Sequence, residues 1–265
     1  MAVMAQQNPT PNARVSARAI YQSIRQDGEQ ELARPVGSLW WSGVAAGIAI
    51  STSVVAKGLL HLHLPDSEWR SVVENLGYCV GFIIVVFGRM QLFTENTITA
   101  VLPLMAAPSR DKLWCILRLW SVVFAANMVG TFVAATFTDI IGFATADQLA
   151  AFQHVAQALL DKSWMEMLLH AIPAGFFVAA LVWMLPNARG SEVWIVVIPT
   201  YVIALGGFAH VVVGSMEVFL LVLDGQVSVF SGLVDMLLPM FIGNVLGGTV
   251  LFSLLAYGQV RQEID

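Results

Sequence analysis

Charge is scarce in this chain. Asp, Glu, Lys and Arg make up only 12% of its 265 residues, about half the share of an ordinary soluble domain. A solvated surface of normal extent is therefore excluded. No basic block is present and the net charge is −5, so nothing favours a nucleic-acid partner. The two cysteines, Cys79 and Cys115, both fall in apolar runs and read as small buried hydrophobes rather than a disulfide. No nucleotide-binding loop, metal-ligand cluster or nucleophile triad is found, which argues against an enzyme, a cofactor or a metal centre. His61 and His63 alone make a poor metal site and are expected to be solvated loop residues. The first 35 residues are polar, with no short apolar core before a small-residue cleavage site, so the first apolar run is expected to be a retained span.

Hydrophobic residues are abundant, at 57% with a mean hydropathy of +0.74. They gather in six elements, at 36–60, 72–105, 113–138, 164–186, 192–223 and 230–258. This is the pattern of a multi-pass membrane protein in a lipid bilayer. Turn signals separate the elements at Leu64-Pro65-Asp66, Ala107-Pro108-Ser109, Pro186-Asn187 and Asp224-Gly225, and 139–163 has room for a short surface helix. With the N-terminus inside, Arg14, Arg18, Arg25, Arg34, Arg110, Lys112, Arg118, Arg189 and Arg261 lie on the cytoplasmic side; only Lys57, Arg70 and Lys162 lie outside. Both termini are accordingly expected in the cytoplasm. Residues 12–34 should form a cytoplasmic, solvated helix, and 259–265 a short tail. Trp40, Trp41, Trp69 and Trp183 sit near span ends and read as interfacial anchors.

The second and fifth elements are too long for one straight span. One is interrupted around 92-LFTEN-96 after Gly88, the other around Gly206, Gly207 and His210. Each is followed by a span with an Asn–x–x–Gly pattern, Asn127 with Gly130 and Asn244 with Gly247. Thr94 precedes Asn127 by 33 positions and His210 precedes Asn244 by 34. Two three-span repeats, 36–138 and 164–258, are implied, and an odd span number turns the second upside down. Helices 2 and 5 are then broken near the bilayer midplane. Non-helical backbone at that depth must be buried in protein or line a wet cavity. Gly206 and Gly207 permit the turn, Gly214 allows close approach beyond it, and Asn127 and Asn244 should brace the breaks. Half-helix N-termini would favour an anion. His210 is expected to face the pore, where an imidazole can lend or take a proton. Gly243 and Gly247 form a G-x-x-x-G packing pattern.

These stretches resemble the formate/nitrite transporter family. Residues 88-GRMQLFTENT-97 are similar to its second-span signature, 207-GFAHVVVGSM-216 to its Gly-Phe-Glu-His segment, and Trp120–Gly130 and 239-PMFIGNVLGG-248 to its third and sixth spans. The first of these extends the likeness to a sub-branch of inner-membrane proteins. The resemblance covers about 36–258. It implies an all-α membrane protein of six transmembrane helices in two inverted three-helix repeats, with an aquaporin-like protomer in a homopentamer. Such proteins pass small monovalent anions such as formate, nitrite or acetate, often with a proton. His210 then matches the central histidine and Thr94 its hydrogen-bonding partner. Leu92 and Phe93 match the apolar side of the loop, and Val178 and Ile203 fall near wall positions.

The sequence departs from this pattern in places. Gly175 and Gly214 stand where the family has asparagines, and Lys162 lies a few residues from an expected vestibule lysine. Arg89, Glu95 and Glu217 are added charges. They are expected to pair, Arg89 with Glu95 or Glu217, and staple the broken helices; otherwise they reset selectivity or proton handling. Two other readings stay open: an aquaporin-like pore for water or small neutral solutes, and a non-conducting membrane scaffold or sensor.

Overall fold

The computed structural model describes residues 15–264. Arg14 of the basic count, residues 12–14 of the expected first helix, and Asp265 of the tail lie outside the described residues. Helix α1 is Ala17–Ala33, started by the Ser16 hydroxyl, which accepts the Ala19 N–H at 3.2 Å. It ends at Arg34, held extended before Pro35. Its last carbonyls are not left to water: Arg118 donates to Leu32 O at 2.5 Å and to Arg34 O at 3.4 Å. The expectation of a solvated helix is corrected. Tyr21 and Ile24 are buried, and the Tyr21 hydroxyl donates to Leu102 O at 3.4 Å, so α1 is docked on the spans.

The remaining helices are α2 (Val36–His63), α3 (Arg70–Phe87), α4 (Asn96–Ala106), α5 (Arg110–Asp139), α6 (Ala146–Gln157), α7 (Trp164–Met184), α8 (Glu192–Leu205), α9 (Val211–Leu223) and α10 (Val229–Ile264). No strand occurs among the described residues. By length and composition α2, α3, α5, α7 and α10 can each cross a membrane. The second hydrophobic element is α3 plus α4, and the fifth is α8 plus α9, so both are split as expected. The short surface helix in 139–163 is α6, opened by a Thr145–Gln148 capping box. Cys79 is buried and Cys115 half-buried, each a free thiol. Among the tryptophans, Trp41 and Trp69 are exposed, whereas Trp183 packs toward Phe252 at 6.3 Å between ring centroids.

Glycine lets two helix pairs touch backbone to backbone. In one, Gly47 of α2 lies against Asn127 O and Gly130 of α5; in the other, Gly247 of α10 lies against Ile172 O and Phe176 N of α7. Gly243, four residues before Gly247, meets Ala171 and Leu168 O. The G-x-x-x-G pattern thus packs α10 on α7. The α10 helix widens to π geometry over Gly232–Leu237 and Leu246–Ser253. In the second of these stretches, Thr249 donates to Thr97 O at 2.7 Å and ties α10 to the first break.

Both breaks begin with the same turn. After α3, Arg89 N–H bonds Val86 O at 3.2 Å and Met90 N–H bonds Val85 O at 3.1 Å; after α8, Gly207 N–H bonds Ala204 O at 3.1 Å and Phe208 N–H bonds Ile203 O at 3.0 Å. This is a left-handed helix stop. In the second break glycine takes the left-handed position, Gly207 at φ +60°. In the first it falls on Arg89 at φ +51°, while Gly88 stays at φ −73°. The expectation that Gly88 relieves the break is therefore displaced by one residue. A non-glycine residue in this region is held at a cost of about 1–2 kcal/mol. Arg89→Gly is expected to raise stability by roughly 1 kcal/mol, read as a higher thermal midpoint in detergent; an unchanged or lower midpoint would show that the turn carries no strain.

His61 corrects the solvated-loop expectation; His63 is exposed. His61 closes the last turn of α2, where its Nδ1 meets Glu74 Oε2 at 2.8 Å. Arg70 donates to its carbonyl, and its ring stacks on His154 of α6 with centroids 4.2 Å apart. Desolvation, and then His61, hold His154 below the ordinary imidazole value; Arg70 and Lys57 add to this and Glu74 opposes it. With α6 released His154 takes a proton more readily, so the docked arrangement loses stability as pH falls below about 6.5. The protection of α6 amides, taken relative to the intrinsic exchange rate at each pH, is expected to fall between about pH 7.5 and about pH 5.5, and His154→Ala to flatten that dependence. A pH-independent α6 in the unsubstituted chain would contradict it.

Candidate functional site

Each break is held by one asparagine. Asn127 Oδ1 accepts the Phe93 N–H at 2.9 Å, while its Nδ2 donates to Gly43 O at 2.8 Å and Gln91 O at 2.9 Å. Asn244 Oδ1 accepts the Val211 N–H at 2.8 Å, and its Nδ2 donates to Ala171 O at 2.7 Å and Ala209 O at 2.9 Å. Both asparagines are fully buried. One amide thus satisfies a donor and an acceptor that the break leaves without helical partners and ties them to the first helix of the same repeat.

These bonds fix the register between the halves. Phe93 corresponds to Val211 and Gln91 to Ala209, so Leu92, not Thr94, is the counterpart of His210. Arg89 then falls on Gly207, in agreement with their shared left-handed backbone. The near-equal spacing of Thr94 and His210 from their asparagines pairs the right segments, two residues out of step. A second tie repeats as well. Gln91 N–H bonds Ser42 Oγ at 3.1 Å, and Ala209 N–H bonds His170 O at 3.1 Å.

The two breaks meet at Thr94 and His210. Thr94 Oγ1 lies 2.7 Å from His210 Nε2, and both residues are buried. The other ring nitrogen is engaged too: Nδ1 accepts the Val213 N–H at 3.2 Å, which makes His210 the side-chain cap of α9. An Nδ1 that accepts places the proton of the neutral ring on Nε2, which donates to Thr94. Leu92, Phe93, Val178 and Ile203 are all buried. The Phe93 ring packs away into an aromatic group, stacked on Phe241 at 5.0 Å and edge-on to Phe124 at 5.1 Å. Two residues escaped the sequence reading. Phe82 presents its edge to the His210 ring at 5.0 Å, and Tyr78 packs on Phe82 at 5.5 Å. Their i, i+4 spacing in α3 would place both on one face, but within an apolar run nothing marks that face.

The expected charge staple does not form. Among the described residues, neither Glu95 nor Glu217 makes an ion pair with Arg89. The left-handed backbone leaves Arg89 exposed at the wall of a mouth cavity of about 420 Å³, which Glu95 also lines beneath α1. Glu217 belongs elsewhere, on α9 within electrostatic reach of Lys57 and Lys162. Lys162 donates to Ala158 O at 3.0 Å. Gly214 packs on Met240, and Gly175 on the backbone of Asn244. Both positions at which the resemblance leads to an expected asparagine thus lie at close helix contacts.

Comparison with known proteins agrees with this geometry. The family model described as formate/nitrite transporter matches residues 18–258. Inner membrane protein YfdC of Escherichia coli (strain K12) is 39% identical over 249 residues, which is 94% of this chain and 80% of that protein. A solved FNT family ion channel superposes with a TM-score of 0.75 at 18% identity, covering 92% of this chain and 98% of its own. A solved pentameric formate channel with formate bound gives 0.70 at 18% identity, with 94% and 100% covered. The all-helical fold is thus shared with solved channels. The chain belongs to the formate/nitrite transporter family.

Proposed function

We propose that the chain is a membrane channel for small monovalent anions such as formate, nitrite and acetate, passed through the centre as the ion or its conjugate weak acid. The observation that carries this reading is the buried Thr94–His210 contact where the two breaks meet. With Nε2–H donating to Thr94 Oγ1, the threonine hydroxyl hydrogen is left to donate to a solute oxygen. The partial positive charge at the start of α9 adds to it. Leu92, Val178, Ile203 and Phe82 supply an apolar surround in which a bare anion pays heavily for lost water, so small size and easy protonation are selected. On the α9 side, Lys57 and Lys162 would gather anions, and Glu217 would temper them. By likeness to the pentameric channel, five copies assemble, each with its own pore. The basic-residue asymmetry supports both termini on the cytoplasmic side, and the likeness to an inner membrane protein of Escherichia coli supports a bacterial inner membrane.

The test is flux of formate, nitrite and acetate into proteoliposomes of the full chain, with and without a pH gradient. Uptake of at least one is expected, and absence of all three rejects the reading. A neutral-solute pore is the second reading, favoured by the carboxylates Asp27, Glu31, Glu95 and Glu192 around the mouth cavity. It predicts solute flux that neither membrane potential nor pH alters, together with indifference to His210→Asn.

A further inference from the structure

This inference rests on the transport reading above. We propose that Glu95, rather than His210, carries the proton exchanged with a weak-acid solute at the mouth beneath α1. Three observations converge on it.

The first is position. The mouth cavity of about 420 Å³ is lined by Asp27 and Glu31 of α1, Arg89, Leu92 and Glu95 of the first break, and Glu192 of α8. Leu92 lines the cavity yet is only 1% exposed, and Thr94, two residues on, bonds His210, so Leu92 forms the wall between cavity and centre. Glu95 adjoins Thr94 in the chain, on the cavity side of that wall.

The second is hydrogen bonding. Two other carboxylates around the cavity are committed, Glu31 to Arg34 at 3.0 Å and to the Gln91 amide at 2.8 Å, and Glu192 to the Gly190 N–H at 2.9 Å; the third, Asp27, is partly exposed to water. Glu95 Oε1 is buried and meets no hydrogen-bond donor among the described residues. The charged groups that face Glu95 are Arg89 and Glu31, within electrostatic reach; Asp27 and Glu192 share its cavity. A buried oxygen without a donor is costly, and a shared proton is what it lacks.

The third is the state of His210. Nδ1 takes the Val213 N–H and Nε2 is bonded to Thr94. A second ring proton, at Nδ1, would point at that backbone N–H and undo the cap of α9. The imidazole is placed to donate one hydrogen bond, not to shuttle protons.

The step balances simply. The Glu95 carboxyl O–H bond breaks as an O–H bond forms on the solute carboxylate. The neutral acid passes Leu92 toward His210, and the Glu95 carboxylate takes a replacement proton from a hydronium ion in the cavity, which is left as water. For a solute arriving from the other side the same bonds form and break in reverse.

The experiment is acetate flux in proteoliposomes of the full chain, measured across a pH series with a trapped pH dye. In the unsubstituted chain acid on the α1 side is expected to stimulate flux. Glu95→Gln should cut the acid-stimulated part by at least about tenfold, with assembly unchanged by size-exclusion chromatography. His210→Asn should lower the rate but keep the pH profile. An unchanged profile in Glu95→Gln, or a profile flattened by His210→Asn, overturns the proposal. Should Glu95→Gln not assemble, Glu95→Asp decides: its shorter reach should move the midpoint, and an unmoved midpoint overturns the proposal. No acetate flux in the unsubstituted chain, with nitrite and formate also excluded, overturns the transport reading itself.

Discussion

Asn244→Ala is expected to be among the most damaging single substitutions in this chain. The side chain removed is small, so lost packing is a minor part of the effect. What matters is what it leaves behind. Val211 N–H, the first donor of α9, and Ala209 C=O, in the break before it, have no helical partner at a buried site, and Asn244 supplies a bond to each. Each buried polar group without a partner costs about 1–3 kcal/mol, so the pair amounts to roughly 2–6 kcal/mol. Water can relieve this only by entering the α7–α10 contact, which glycine has closed to backbone distance. The third bond, to Ala171 O, ties the break to α7, and its loss frees the segment that carries His210. A lower unfolding midpoint and faster amide exchange at Ala209–Val213 are expected together. Asn127→Ala tests the same logic, because it removes bonds of the same three kinds from Phe93, Gln91 and Gly43. Comparable losses in the two variants are expected. A mild Asn244→Ala, within about 0.5 kcal/mol of the unsubstituted chain, would mean that the asparagine is not what holds the break.

That brace was legible because it has a physical signature in sequence: an asparagine in an apolar run, a glycine three residues on, and the same pair in the other half. Gly206-Gly207 marked the second break for a similar reason, since paired glycines inside a hydrophobic element are unfavourable unless a turn needs them. The first break was found by its polar residues, yet its turn was placed on Gly88. Arginine carries no left-handed signal, and only the common hydrogen-bond pattern of Arg89 and Gly207 reveals it. The register of the repeat slipped for the same reason. Thr94 and His210 are the conspicuous residues, but the braced amides belong to Phe93 and Val211, which look ordinary. The charge staple failed on topology. Arg89 and Glu217 lie in different repeats, one lining the cavity beneath α1 and the other within reach of Lys57 and Lys162, a separation that hydropathy does not encode. The cost of a lone buried charge suggested an ion pair between Arg89 and Glu95, but the left-handed turn between helix and break carries the arginine outward. Tyr78 and Phe82 stayed hidden because an aromatic in a span reads equally well as facing lipid, core or pore.

Gly175→Asn, which restores the residue type that the family pattern has there, is expected to abolish assembly rather than add a pore hydrogen bond. A Cβ at position 175 would overlap Asn244 O and lie 2.7 Å from Asn244 Cα and 2.8 Å from its carbonyl carbon. These are backbone atoms of α10, and α10 cannot retreat without opening the contacts at Gly243 and Gly247 along the same face. Overpacking typically costs about 1–3 kcal/mol where side chains can yield; with backbone on both sides the cost should exceed that range. The displaced residue is moreover Asn244, so the strain passes directly into the brace of the second break and from there to His210. Gly214→Asn makes the contrast. Its Cβ would meet Met240 Sδ at 2.7 Å and Cε at 3.2 Å, the far end of a flexible side chain that can swing away. Gly214→Asn should therefore assemble with a loss of at most about 1–3 kcal/mol, while Gly175→Asn gives little or no folded protein in the membrane fraction. Equal yields of the two variants, with equal unfolding midpoints, would show that α7 and α10 are not locked at backbone contact, and that the lost asparagine at 175 has a cause other than space.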